Sequence, residues 1–303
     1  DLHLLNISII PFQYNPSERT LEIYDEVEIE ILESGESGFS GNNNMPRSLE
    51  FEKLYQDLVV NFTSRDAEIQ NPAILYICGG SAENNNSFQQ LVDWREKRGY
   101  TVYTASTSQI GTSTSSIKNY ILNAYQNYSP PPEYVALVGD VGGSYSVTTY
   151  YDGHGHNSYN NDCEGDHPYS QLQGNDLLPE VLIGRISVRS STELSTVVSK
   201  ILGYEKATFL SSLGNYYERA SCAGDPSSSG NSCAITNEYV AELLVNYGMS
   251  EVELKTSGSN WASWMENNLE DGVLYFNYRG YLGVSGFGSG NIDNANNGFK
   301  LPL

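Results

Sequence analysis

From Pro72 onward the chain alternates two kinds of segment, and this alternation limits its fold more than any other feature. "AILYICGG", "YTVYTAS", "YVALVGD" and "EVLIGRIS" are short runs rich in apolar residues. Between and after them lie helix patterns. "SFQQLVDWREKRG" gathers Phe88, Leu91, Val92 and Trp94 on one side and stops at Gly99. "STSSIKNYILNAYQNY" begins in Ser and Thr and runs into prolines 130–132, and "STELSTVVSKILGYEKA" closes the series. Apolar strands separated by helices pair in parallel and are covered on both faces. A second run, "YYERASCAGD", "CAITNEYVAELLVNYG", "EVELKT", "NWASWMENNLEDG" and "VLYFNYRG", repeats the order. The expected class is α/β: parallel sheets flanked by helices, in two subdomains over residues 72–210 and 211–303.

The first 71 residues read differently. "LHLLNISIIPFQYNP" and "TLEIYDEVEIEIL" flank the turn residues of "YNPSERT", and the second run alternates like a half-buried strand. Residues 1–35 are expected to be a β-hairpin, the remnant of a small β domain. Residues 36–71 hold a linker, "SGESGFSGNNNMPR", and a helix in "SLEFEKLYQDLVVNF". The chain starts at Asp1 inside a strand pattern and stops at "KLPL" where another would begin, so it is expected to be a piece of a longer protein.

Charge narrows the partners. With 37 acids against 16 bases the net charge is −21, which repels nucleic acid and anionic membranes and suits hard cations such as Ca²⁺. No apolar run approaches the roughly 18 residues of a membrane span. The four cysteines form no zinc pattern. Cys78 ends an apolar strand and reads as a buried free thiol. Cys222 and Cys233 flank "CAGDPSSSGNSC"; a disulfide closing that loop would fit an oxidising compartment, and the alternative is two small hydrophobes. Cys163, in a polar loop, is either exposed or paired.

Strand tips are where α/β proteins place working residues. Asp140 ends "YVALVGD", and the long loop Val141–Leu178 follows it. Within that loop "YYDGHGHNSYNNDCEGDHPY" carries three His and four acids. It reads either as a solvated loop or as a metal site, and the oxygen-rich surroundings favour Ca²⁺ over Zn²⁺. Asp140, Glu164, Asp166 and Asp176 are the candidate ligands. "GDVGG" lacks the Lys-Ser/Thr of a phosphate loop, and the spacing around Ser285 does not make a nucleophile elbow. Arg279 ends the last strand and either meets a substrate carbonyl or carboxylate or pairs with a local acid.

"YVALVGDVGG", "EGDHPYSQLQGNDLLPEVLIGRISVRS", "AELLVNYG" and "VLYFNYRGYLG" together resemble the gingipain-type cysteine peptidases, over roughly Pro72 to Leu303. The N-terminal "IIPFQYNPSERTLEIYDEVEIEI" similarly looks like the end of their propeptide domain. The resemblance implies a secreted or cell-surface bacterial enzyme with a caspase-like fold, structural Ca²⁺ and protein or peptide substrates. Its chemistry would be attack by a Cys thiolate, an oxyanion held by backbone N–H groups, and a His that protonates the leaving amine. Carried over by position, Tyr281 stands where the family has its His, and Asp225 falls nearest the supporting carboxylate. Arg279, Gly280 and Leu282 line the substrate edge. Cys233 replaces the acid that gives arginine-specific members their preference, and no cysteine falls at the nucleophile's place. Either a His from elsewhere serves (His154, His156 and His167 are the candidates, His167 being taken as catalytic), or the protein is a pseudopeptidase used as a binding or surface module.

Overall fold

A computed structural model of the 303-residue chain describes residues 6–32, 46–62, 69–151, 164–208, 215–280, 282–283 and 286–287. The chain opens with an antiparallel hairpin, β1 (Phe12–Asn15) and β2 (Thr20–Ile23). Asn15 turns it, its Oδ1 accepting the Ser17 amide at 3.1 Å. The hairpin was expected to be half buried. Instead the cross-strand pairs Phe12–Ile23 and Tyr14–Leu21 are all more than half exposed, so its apolar side packs on nothing among the described residues. Next comes α1 (Leu49–Leu58), capped by Ser48, whose Oγ accepts the Phe51 amide.

The first α/β unit follows the predicted alternation through β3 (Ala73–Cys78), α2 (Asn86–Lys97), β4 (Thr101–Ser106), a single turn α3 (Thr107–Ile110), α4 (Thr114–Asn127) and β5 (Tyr134–Val138). A small antiparallel pair, β6 (Tyr150–Tyr151) with β7 (Glu164–Gly165), interrupts the long loop. Then come β8 (Leu182–Ile186) and α5 (Ser191–Glu205). The four main strands form a parallel sheet in the order β4-β3-β5-β8.

Period-two alternation divides β3 between two cores. Leu75 and Ile77 face Ile117, Ile121 and Ala124 of α4. Tyr76 and Cys78 face Phe88 and Leu91 of α2 and Leu194 and Val198 of α5. Each fully buried Leu or Ile contributes roughly 1.5–3 kcal/mol. A polar clamp at the rim also joins α2 to α5. Glu205 accepts from Arg95 at 2.5 and 2.8 Å, from Trp94 Nε1 at 2.7 Å and from Arg98 at 3.0 Å. Burial opposes the Glu205 charge, but these donors outweigh it and hold the carboxyl below its usual range.

The second unit runs β9 (Arg219–Gly224), α6 (Pro226–Ser229), α7 (Ser232–Tyr247), β10 (Glu251–Lys255), α8 (Trp261–Asp271) and β11 (Tyr275–Arg279), then the short pair β12 (Leu282–Gly283) and β13 (Gly286–Phe287). Its sheet, β10-β9-β11, is also parallel. Here β9 is central. Ala223 packs on Trp261 and Met265 of α8, while Gly224 lies so close to α7 that an added Cβ would sit 2.5 Å from the Cys233 carbonyl oxygen. Buried polar links supplement a thin core: Ser221 Oγ donates to Asn268 at 2.7 Å, and Asn277 donates to Asn237 at 2.9 Å. Cys222 and Cys233 are both buried free thiols, which corrects the expected disulfide. They sit in β9 and in the first turn of α7 as small packing residues. Cys78 is free and fully buried, as read from the sequence. Among the described residues no helix is long and apolar enough to cross a membrane.

Candidate active site

At the first sheet the strand order reverses beside β3, which places the usual ligand crevice between the tips of β3 and β5. That crevice is filled by the chain itself. A Cβ on Gly79 would come within 2.5 Å of the Tyr145 carbonyl oxygen, one on Gly80 within 2.2 Å of the Ser144 oxygen, and one on Gly139 within 1.9 Å of the Tyr145 oxygen. Gly80 and Gly139 also have positive φ, +56° and +148°. The glycines of "CGG" and "VGD" therefore admit a backbone loop, not a phosphate.

Arg185, the arginine of "IGR", holds that loop. Its guanidinium donates to the carbonyls of Gly139 (2.7 Å), Val147 (2.8 Å) and Thr148 (3.2 Å) and to both Asp166 oxygens at 2.7 Å. Sequence reasoning did not see this role, although a lone Arg inside a β-strand was a usable signal. Asp166, offered as a metal ligand, is thus occupied by Arg185. Asp140 is occupied by Arg189 at 2.6 Å, and that bond, helped by the Val141 amide, lowers its carboxyl below the usual range. Asp176 accepts the Leu178 amide at 2.8 Å, and Glu164 is exposed in β7. These four do not converge, and among the described residues no three His, Cys, Asp or Glu side chains are grouped to hold a metal. As a set they do not fit a shared Ca²⁺ site. His167 does not pair with Asp166 either: its Nε2 lies 2.9 Å from the Leu177 carbonyl oxygen, inside the same first-sheet loop. His154 and His156 lie outside the described residues.

The second sheet carries a different arrangement at its carboxyl edge. Asp225 follows β9, is 5% exposed, and donates its amide to the Arg279 carbonyl at 2.9 Å, extending the β9–β11 ladder by one residue. Its Oδ1 accepts the Ser227 amide at 3.0 Å and the Ser227 hydroxyl at 2.5 Å, capping α6. Gly280 follows β11 directly beside it. A Cβ there would lie 3.2 Å from Asp225 Cβ and 2.4 Å from the Tyr278 hydroxyl. Asp225, Gly280, Tyr278 and the start of α7 at Cys233 thus meet at one sheet edge. Tyr278 was missed, because "FNY" reads only as strand. Arg279 is exposed, and its guanidinium is hydrogen-bonded to the Thr236 hydroxyl of α7; among the described residues it forms no ion pair with an acid. Leu282 opens β12, and Tyr281 lies outside the described residues.

A family model described as Peptidase family C25 matches residues 68–303. The chain belongs to that family. Gingipain R1 of Porphyromonas gingivalis is 26% identical over 311 residues, covering 98% of this chain and 30% of the relative. Gingipain R2 of the same organism is 26% identical over 313 residues, covering 98% and 41%. Lys-gingipain W83 is 26% identical over 251 residues, covering 80% and 14%. The chain thus spans well under half the length of these curated relatives. Among solved structures, the Arg-specific cysteine proteinase gingipain R superposes with a TM-score of 0.57 at 21% identity, over 75% of this chain and 51% of that one. The complex of RgpB pro- and mature domains gives 0.57 at 22%, over 72% and 49%. The C25 resemblance read from the strand tips is confirmed, and the α/β architecture, parallel sheets flanked by helices behind an N-terminal hairpin, is that of the gingipain structures.

Proposed function

We propose that the full protein is a cysteine-type endopeptidase, secreted or held on a bacterial cell surface, that hydrolyses peptide bonds at the carboxyl edge of the second sheet. The observation that carries this is the meeting of Asp225 and Gly280 at adjacent strand tips in a chain of peptidase family C25. In this reading Asp225 is the supporting carboxylate, buried and fixed by Ser227, that orients the proton-transferring group. Backbone N–H groups around Gly280 and Leu282 face the developing oxyanion. Arg279 and Cys233 border the substrate. The nucleophile is neither Cys78 nor Cys222, since burial pushes both thiols up, away from the thiolate. Cys163 lies outside the described residues, and by family likeness none of the four cysteines stands at the nucleophile's position, so in this reading another cysteine of the full protein attacks the peptide.

A second reading rests on Tyr281, which stands at the family's His position. A phenol of ordinary pKa near 10 shuttles protons poorly at neutral pH. In that reading the protein is a pseudopeptidase that binds polypeptides without cutting them. Treating the full-length protein with a peptidyl acyloxymethyl ketone library, then mapping adducts by mass spectrometry, decides between them. An adduct on a cysteine outside this chain establishes the peptidase. No adduct with any P1 residue, on folded protein freed of its N-terminal unit, establishes the pseudopeptidase.

A further inference from the structure

Alternate side chains of β11 point to the two faces of its sheet. Phe276 and Tyr278 pack toward α8, against the cluster of Ala223, Trp261 and Met265. Asn277 and Arg279 face α7. Asn277 is keyed to that helix: its Nδ2 donates to Asn237 Oδ1 at 2.9 Å, and the fully buried Asn237 donates its own Nδ2 to the Cys233 carbonyl at 3.1 Å. Arg279 lies two residues nearer the tip, on the α7 side of the edge where Asp225 and Gly280 meet. Its main chain is fixed there, because its carbonyl accepts the Asp225 amide at 2.9 Å. Its side chain is fixed at the far end. The Thr236 hydroxyl donates to the Ser232 carbonyl at 2.8 Å, which leaves its lone pairs to accept from Arg279 Nη1.

The resting partner of this guanidinium is neutral. In the same two α/β units Arg95, Arg98, Arg185, Arg189 and Arg219 each meet a carboxylate, as expected where 37 acids share a chain with 16 bases. Arg279 meets a hydroxyl and stays exposed, and among the described residues its other N–H groups have no acceptor. What Thr236 holds is Nη1, so the side-on fork of Nε and Nη2 is left open. Arg185 divides its donors in the same way: Nη1 goes to neutral carbonyls, while Nε and Nη2 take the two oxygens of Asp166, each at 2.7 Å. Arg279 is thus an arginine in the carboxylate-binding pose, presented to solvent at the strand tip.

We infer that Arg279 selects acidic polypeptides: its Nε–Nη2 fork pairs with the carboxylate of an Asp or Glu side chain lying along this edge, beside the bond to be cut. That a polypeptide lies there rests on the peptidase reading above; the charge it presents rests on the β11–α7 geometry. With a net charge of −21, the field of the whole chain opposes an acidic peptide, so a preference for one has to originate at a local cation. The fork also sets the discrimination. Asn matches Asp in shape but offers one acceptor oxygen and no charge, and Lys is repelled. A charge-assisted pair of this kind separates Asp from Asn by about tenfold or more.

The test uses the full-length protein and synthetic hexapeptides in which each position in turn carries Asp, Asn or Lys. Cut bonds are quantified by mass spectrometry, and binding is followed in parallel by fluorescence anisotropy. At one position beside the cut bond, Asp is expected to exceed Asn by at least about tenfold in kcat/KM and in affinity, with Lys weakest. Arg279→Gln brings the Asp and Asn peptides level, and Arg279→Glu makes Lys the favoured residue. If Arg279→Gln does not fold, Arg279→Lys, which keeps the charge and loses the fork, should shrink the ratio of Asp to Asn. Level Asp and Asn peptides with the unsubstituted protein overturn the assignment in favour of an acid of the protein itself on Arg279. An Asp preference that survives Arg279→Gln, or an undiminished one in Arg279→Lys, overturns it too. Peptides cut without any Asp preference leave the peptidase reading standing and remove the Arg279 subsite. Asp-selective binding with no cut bond keeps the subsite and removes the peptidase; neither cutting nor selective binding removes both.

Discussion

The two sheet tips of this chain are built from the same parts and use them oppositely. Both have glycines after buried strands and a carboxylate at a strand end. At the first tip, Gly79, Gly80 and Gly139 admit the chain's own loop, and Asp140 and Asp166 are each consumed by an arginine. At the second, Gly280 lets the Tyr278 ring end and Asp225 pack directly against the strand end, and Asp225 holds Ser227 and extends the β9–β11 ladder. A strand-tip acid is therefore a poor guide to function on its own. What it is bonded to separates scaffold from site.

The largest effect that would test this contrast is expected at Arg185. Arg185→Met takes the ion-pair partner from Asp166 and the guanidinium from three carbonyls, of which Thr148 keeps the Tyr169 hydroxyl, and should cost about 3–5 kcal/mol in urea unfolding. A loss under about 1 kcal/mol would mean the first tip is not held as described. Gly139→Ala follows, at about 3 kcal/mol, because the added Cβ meets backbone at positive φ. Gly280→Ala meets the far end of Tyr278 and should cost less than Gly139→Ala; the reverse order would undo the comparison. Away from both tips, Glu205→Gln should cost about 2 kcal/mol at neutral pH. The Glu205 contribution is present above the ordinary glutamate range and lost as pH falls through the depressed folded value, so the gap to the unsubstituted chain narrows on acidification. The smallest stability change is expected for Asp225→Asn, within about 1 kcal/mol, since Asn caps a helix as well as Asp. In the full-length protein the proposed peptidase role of Asp225 predicts that the same substitution lowers kcat far more than Tm, and equal loss of both would reduce Asp225 to a cap.

Period and punctuation made most of the fold legible. Phe88 and Leu91 are buried as their spacing predicted, and Gly99 stands just past the end of α2. The hairpin was legible as strands but not in its surroundings, because alternation marks an apolar side without saying what covers it. Cys222 and Cys233 misled because eleven-residue spacing around a Gly/Ser loop looks like a staple, while in three dimensions one is strand and the other helix, each filling a small gap. Asp225 and Gly280 could be placed at one site only through family likeness, since 55 residues separate them and only the β9–β11 pairing joins them. The Arg185 network was not legible at all: it depends on carbonyls and a carboxylate from several distant segments.

The filled crevice of the first sheet has a consequence for redesign. Its three glycines and its loop form a lock-and-key pair within one polypeptide, so neither can drift without the other. A variant in which residues 143–147 were replaced by a shorter crossing would leave a bare trough walled by glycine backbone between β3 and β5. Such a trough has the shape that other open parallel sheets offer to small anionic cofactors. Here it is occupied by a stretch of the protein's own main chain.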